Sequence, residues 1–137
     1  MNRDEILAMP AGREMDALVA EKVMGVAKAQ KEYDKRHYEG LRVFLFDNKF
    51  AYFGTECPGY STDIAAAWEV VEKMRGDGYR IQLFPHDCQV YCDDKIYIAK
   101  NKVRITTPNY VTHEVGDDNI FLAICRAALL AILETNP

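Results

Sequence analysis

The chain has 137 residues, 49% of them hydrophobic and 28% charged, which suits one soluble domain able to bury most of its apolar surface without covalent staples. A net charge of −4, with no face dominated by Lys and Arg, argues against a large double-stranded DNA footprint. The longest apolar run, Ile120 to Leu133, is interrupted by Arg126 and is too short to span a bilayer, and Met1-Asn2-Arg3-Asp4-Glu5 lacks the apolar core of a signal peptide, so a cytoplasmic protein with no membrane partner is expected.

In chain order, Asn2 and Glu5 have the form of a capping box that opens a short helix, which Met9-Pro10 interrupts. Gly12-Arg13-Glu14 restarts it, and Met15, Leu18, Val19 and Val23 form a core stripe up to Gly25. From Val26 to Gly40 the charges are dense and mixed in sign, which reads as a solvated helix extension or loop. Leu41 to Phe46 and Lys49 to Phe53 are β-rich runs linked by Asp47-Asn48, two residues that tolerate the positive φ of a tight hairpin turn.

The loop from Gly54 to Gly59 leads to a helix with its start and stop written locally. Ser61 or Thr62 can cap the first turn, Asp63 complements the positive end of the helix dipole, and Gly76 can take a left-handed stop. Ile64, Ala67, Trp68, Val71 and Met74 fall on one apolar stripe, with Trp68 most simply in the core, while Glu69, Glu72 and Lys73 fall opposite. Tyr79 to Phe84 alternates as a strand does. The runs Gln89 to Cys92, Lys95 to Ala99 and Lys102 to Thr106, separated by the polar pairs Asp93-Asp94 and Lys100-Asn101, continue it as an antiparallel meander, with Tyr110 to Val115 as an edge. Gly116-Asp117-Asp118-Asn119 then supplies turn and cap chemistry for a last helix from Ile120 to about Glu134, whose near absence of charge predicts burial on more than one side. The whole reads as one α+β domain over residues 1–137, helices packed on a largely antiparallel sheet, with an insertion at 26–54 made of the charged segment and the first β-hairpin. The four cysteines, Cys57, Cys88, Cys92 and Cys125, make no regular framework and are expected to be reduced.

Three phrases of this chain resemble, as a set, the small phage and prophage proteins that carry the phage ABA sandwich domain. They are Ala11 to Gly25 (beginning Ala11-Gly12-Arg13-Glu14-Met15), Tyr60-Ser61-Thr62-Asp63-Ile64 on to Val71, and Ala123-Ile124-Cys125-Arg126-Ala127 on to Ala131. The resemblance implies an α/β/α layered fold and a phage accessory product working in the bacterial cytoplasm. It implies no catalytic motif. Small phage proteins of this kind often act by binding a host protein or sequestering a host defence signal, an argument from type.

Candidate chemistry is sparse. Arg126 sits among the apolar Leu122, Ala123, Leu129 and Leu130, so its guanidinium must meet an acid or an anion. A phosphate or carboxylate clamp is one reading; a structural ion pair with Glu14, Asp16 or Asp63 is the commoner one. Tyr60, Ser61, Thr62 and Asp63 at a helix start can hold an anion on free N–H groups, although Asp63 would repel it and capping accounts for Ser61, Thr62 and Asp63. The hairpin aromatics Phe44, Phe46, Phe50, Tyr52 and Phe53, with Arg42 and Lys49 nearby and Arg13 among the scattered arginines, can stack on a base, pack in the core, or form a homo-oligomer interface. His86, Asp87, Cys88 and Cys92 offer metal ligands or a Cys-His pair without the spacing of a strong motif. With no glycine-rich phosphate loop, His-Glu-x-x-His or nucleophile elbow, no cofactor is expected. The expectation is a non-enzymatic phage protein that binds a host component in anti-defence, either a nucleotide-type signal or a host defence protein, and that forms a homo-oligomer. The alternatives are a small Cys/His-dependent enzyme and a structural homo-oligomeric module.

Overall fold

A computed structural model describes residues 2–25, 29–30, 43–46, 49–50, 58–92 and 95–135. Helix α1 (Arg3–Ala8) opens on the capping box: the Glu5 N–H donates to Asn2 Oδ1 at 2.8 Å and Asn2 Nδ2 donates to Glu5 Oε1 at 3.2 Å. The chain leaves the helix at Met9, before Pro10. Helix α2 (Arg13–Val19) widens into a π-helical turn over Ala20–Met24 and stops at Gly25, whose φ of +63° suits glycine. Met15, Val19 and Val23 are buried as the stripe required, while Leu18 is half-buried.

Helix α3 (Ile64–Gly76) forms where expected but differs in its ends and its rotation. Asp63 is the cap, accepting from the Ala66 N–H at 3.1 Å, and Ser61 turns inward instead. Gly76 remains helical, and the positive φ falls two residues later on Gly78, at +93°. Ala66, Ala67, Val70, Val71 and Met74 face the core, leaving Ile64 68% and Trp68 49% exposed, against the expectation that both are core. The physical reason is the partner. Helix α4 (Ile120–Thr135) packs against α3, and the compact Ala66 and Ala67 take buried positions where an indole would need more room.

Strands β4 (Arg80–Phe84), β7 (Asn101–Thr106) and β8 (Thr112–Asp117) make an antiparallel sheet in the order β4-β7-β8. Cross-strand rows Leu83, Val103, Val115 and Ile81, Ile105, His113 face the helices. Strands β5 (Cys88–Cys92) and β6 (Lys95–Ala99) pair only with each other, as a hairpin inserted between β4 and β7. A simple meander was expected; β4 instead passes over the hairpin to pair with β7, because Val103 and Ile105 continue the buried apolar rows of β4 and β6 does not.

Helix α4 lies across β7 and β8, and α1, α2 and α3 pack on it in turn. That central position accounts for its apolar circumference, with Leu122 to Cys125 and Ala127 to Ala131 all buried. The result is an α+β fold, helices packed on antiparallel sheet. At the first hairpin, β2 (Val43–Phe46) and β3 (Lys49–Phe50) pair antiparallel with Phe46 opposite Lys49, and β1 (Ala29–Gln30), inside the stretch read as solvated, pairs with β2. The side chains of Phe44 and Phe46, and all of Arg42 and Tyr52, lie outside the described residues, as does most of the 26–54 insertion.

Candidate functional site

The face of the β4-β7-β8 sheet turned away from α4 carries charge where a core face carries valine. Register sets Gln82, Arg104 and Glu114 in one row and Phe84, Lys102 and Gly116 in the next. Arg104 Nε donates to Glu114 Oε2 at 2.7 Å, its NH1 group reaches Gln82 Oε1 at 3.3 Å, and Lys102 Nζ stands 3.8 Å from the same Glu114 oxygen. Both cations lie over the Phe84 ring, at 4.7 Å for Lys102 and 5.3 Å for Arg104. Burial alone would raise the Glu114 pKa, but the Tyr91 N–H, Arg104 and Lys102 outweigh it and hold the carboxyl below its ordinary value.

These groups fasten the β5-β6 hairpin to the sheet. The Tyr91 N–H donates to Glu114 Oε1 at 3.1 Å, and Lys102 Nζ donates to the Gln89 carbonyl at 3.0 Å. A buried lysine and a buried glutamate thus supply the donor and acceptor that a neighbouring strand would offer to the outer edge of β5. At Gly116 the contact closes: an added Cβ would lie 2.5 Å from Val90 Cγ2 and 2.6 Å from Ala99 Cβ. The Tyr97 hydroxyl accepts from the Gly116 N–H at 3.0 Å.

One face of the hairpin, with Val90 and Ala99, is therefore pinned. The opposite face holds Gln89, Tyr91, Ile96 and Ile98, cross-paired as Gln89 with Ile98 and Tyr91 with Ile96. Tyr91 is 57% exposed, Ile96 62% and Ile98 65%. Three large apolar side chains on one face of a fastened hairpin form a candidate contact surface. Reading the chain for conventional motifs passed over it. The available signal was Ile96-Tyr97-Ile98, a short strand apolar on both faces, followed by Lys102 and Arg104 on alternate positions of the next strand.

Of the residues singled out by their chemistry, Ser61 and Arg126 join one polar seam elsewhere. Arg126 is 13% exposed; its NH1 group meets Asp117 Oδ1 at 3.3 Å and its NH2 group donates to the Met9 carbonyl at 2.8 Å. The ion pair is with Asp117, and not with Glu14, Asp16 or Asp63. Asp117 Oδ2 accepts from the Asn119 N–H, Asn119 caps α4 through Oδ1, and Asn119 Nδ2 donates to the Ser61 carbonyl at 2.9 Å. Ser61 gives both its N–H and its hydroxyl to Asp16 Oδ1, at 2.8 and 2.6 Å, and accepts from the Gly12 N–H. Burial raises the Asp16 pKa, and the two bonds from Ser61 pull against that rise. The seam ties the α1-α2 joint, the approach to α3 and the start of α4 together, and it engages Ser61 and the NH1 and NH2 groups of Arg126, while Arg126 Nε is buried with no hydrogen-bond partner among the described residues. Tyr60 is buried beside it, and Arg13 is exposed at the start of α2.

His86 is exposed, with its ring edge toward Phe84 at 6.2 Å, and Cys88 is half-buried. Among the described residues no group of His, Cys, Asp or Glu side chains is disposed to hold a metal ion, and no described helix is long and apolar enough to cross a membrane.

Comparison with curated proteins and comparison with solved structures each return no match. The sequence profile of the phage ABA sandwich domain matches residues 17–129, which takes in the π-helical turn, the hairpin strands, all of α3 and of the β4-β7-β8 sheet, and α4 as far as Leu129. The chain belongs to the phage ABA sandwich domain family.

Proposed function

We propose that this phage protein works by binding a host protein, and not by catalysis, and that the contact is the outward face of the β5-β6 hairpin. The observation that carries the reading is the pairing of an exposed apolar face, Tyr91, Ile96 and Ile98, with an inner face secured by Glu114, Lys102 and Gly116. Removing one exposed isoleucine from water contributes about 1.5 to 3 kcal/mol, so a fastened patch of this kind is a sound anchor for a partner. The carboxyl groups of Asp16 and Glu114 and the NH1 and NH2 groups of Arg126 are engaged within the fold, which supports binding over reaction chemistry. Membership of a phage family supports a host target, with inhibition of a defence component as the purpose.

The test is capture. The tagged protein and its Ile96→Asp and Ile98→Asp variants are incubated with lysate of the phage's bacterial host, after matched far-UV circular dichroism shows that all three are folded. A host protein retained by the parent and lost by both variants is the expected result; equal retention by all three removes the hairpin from the contact. Sequestration of a nucleotide-type signal, with Arg42, Phe44, Phe46 and Tyr52 as its residues, is the other branch, and calorimetry with cyclic and linear nucleotides tests it independently of Ile96 and Ile98.

A further inference from the structure

We infer that the part of the β4-β7-β8 face left open by the hairpin binds a phosphoryl oxyanion, held by Arg80, Gln82, Arg104 and the Thr106-Thr112 pair. The site goes beyond the hairpin contact and uses none of Tyr91, Ile96 and Ile98. Strand alternation and register fix the composition of the face. Its rows are Arg80-Thr106-Thr112, Gln82-Arg104-Glu114 and Phe84-Lys102-Gly116. The hairpin closes over Gly116, and Lys102 and Glu114 are buried, whereas Arg80, Gln82 and Thr112 are exposed and Arg104 and Thr106 are half-buried. Three cations, Arg80, Lys102 and Arg104, share these rows with one carboxylate, Glu114, in a chain whose net charge is −4. The local field of this face therefore opposes that of the whole molecule and favours an anion.

The acceptors of the face are already engaged. Glu114 Oε1 accepts from the Tyr91 N–H at 3.1 Å and Oε2 from Arg104 Nε at 2.7 Å, while Gln82 Oε1 accepts from the NH1 group of Arg104 at 3.3 Å. What remains is donors. The Arg104 NH2 group and Gln82 Nε2 make no hydrogen bond, and Arg80 has neither a hydrogen bond nor an ion pair among the described residues. The Thr106 and Thr112 hydroxyls lie 3.2 Å apart, so one donates to the other and the second keeps its proton for a third group. The spread of these donors selects the ligand. A carboxylate or a chloride ion is satisfied by one arginine, whereas these groups come from three strands spaced about 4.8 Å apart, with Arg80 and Arg104 as diagonal neighbours. A phosphoryl group presents several oxygens at once, and the planar fork of a guanidinium matches two of them.

Amide NMR titration of the full chain with sodium phosphate, at an ionic strength held constant with sodium chloride, tests this. Saturable shifts are expected at Arg80, Gln82, Arg104, Thr106 and Thr112, and chloride alone should produce none of them. Arg80 makes no bond within the described fold, so Arg80→Gln should keep the parent circular dichroism and weaken phosphate binding by about tenfold. Arg80→Lys, which keeps the charge and loses the fork, should fall between the two. Glycerol phosphate as a second probe separates the sources of the phosphoryl group: equal affinity for both probes supports a site for the free anion, and an ester bound about tenfold tighter supports a site for an esterified one. No saturation at tens of millimolar phosphate, shifts reproduced by chloride, or parent affinity in Arg80→Gln would each overturn the inference. The titration contains no host protein and leaves Ile96 and Ile98 intact, so failure of the capture experiment and failure of this one are separate events.

Discussion

Gly116 lies where the sheet meets the hairpin, and its lack of a side chain is a steric requirement. The neighbours of an added methyl group would be Val90 and Ala99, both on paired strands and both buried, so neither can swing aside. Gly116→Ala should cost about 1 to 3 kcal/mol in urea unfolding, with exchange of the hairpin amides accelerated before those of β7. His113 makes a different demand. It lies in the helix-facing row with Ile81 and Ile105, and its buried Nε2 has no hydrogen-bond partner among the described residues. Burial, reinforced by the Arg3 charge and partly opposed by Glu134, lowers its pKa. A histidine with a lowered folded pKa binds fewer protons folded than unfolded, so its contribution is complete above the ordinary histidine range and is lost as pH falls through that range. The urea midpoint should fall between pH 7.5 and pH 5.5, and His113→Leu should flatten that dependence; an unchanged slope in the variant would assign it elsewhere. Neither residue's role was legible in the sequence, since a glycine and a histidine in a strand announce nothing until the register shows what lies opposite.

Elements were legible to the extent that their signals were local. The capping box of α1, the break at Pro10, the stop at Gly25 and the burial of α4 all follow from residues within a turn or two of each other. The rotation of α3 did not, because Trp68 and the alanine pair Ala66-Ala67 compete for the core and the winner depends on packing against α4, more than fifty residues away. Trp68 is the single tryptophan, so the rotation has a direct spectroscopic consequence. Native fluorescence should be quenched by acrylamide nearly as well as in the unfolded chain; strong protection would place the indole inside after all. The hairpin depends on a buried charge. Glu114→Ala would strand Lys102 and release the Tyr91 N–H, a loss of about 3 kcal/mol. Exchange in β5 and β6 should then rise ahead of the global unfolding rate, because the three-stranded sheet keeps its apolar rows.

At the scale of the molecule, three ionisable groups among the described residues have shifted pKa values, and their contributions to stability against pH do not agree in sign. Glu114, with its pKa lowered, stabilises the fold at neutral pH and loses that contribution as pH falls through its depressed range; His113 acts in the same direction at higher pH. Asp16, raised by burial, is most comfortable protonated and works the other way, weakening the fold as pH rises through its elevated range. An Asp16→Asn variant should therefore lose less stability at neutral pH than the count of its hydrogen bonds suggests, and urea titrations should show its deficit narrowing or reversing from pH 4.5 up to pH 7.5. The fold class and family were readable from the chain because helix patterning and three phrases carry them. The exposed apolar face proposed for contact was not, because it arises when a hairpin crosses a sheet, and charge clusters such as Lys102, Arg104 and Glu114 look alike in sequence whether they face solvent or seal a strand.

The lysine and glutamate that fill the edge of β5 also bear on how far any strand pairing can go. A ladder lengthens only where a newcomer finds unoccupied main-chain groups, and on β5 the Tyr91 N–H and the Gln89 carbonyl are already taken by Glu114 and Lys102. A strand arriving at β5 meets Lys102 and Glu114 where it would need the Gln89 carbonyl and the Tyr91 N–H, so the exposed isoleucines are kept from seeding a fibre through that edge.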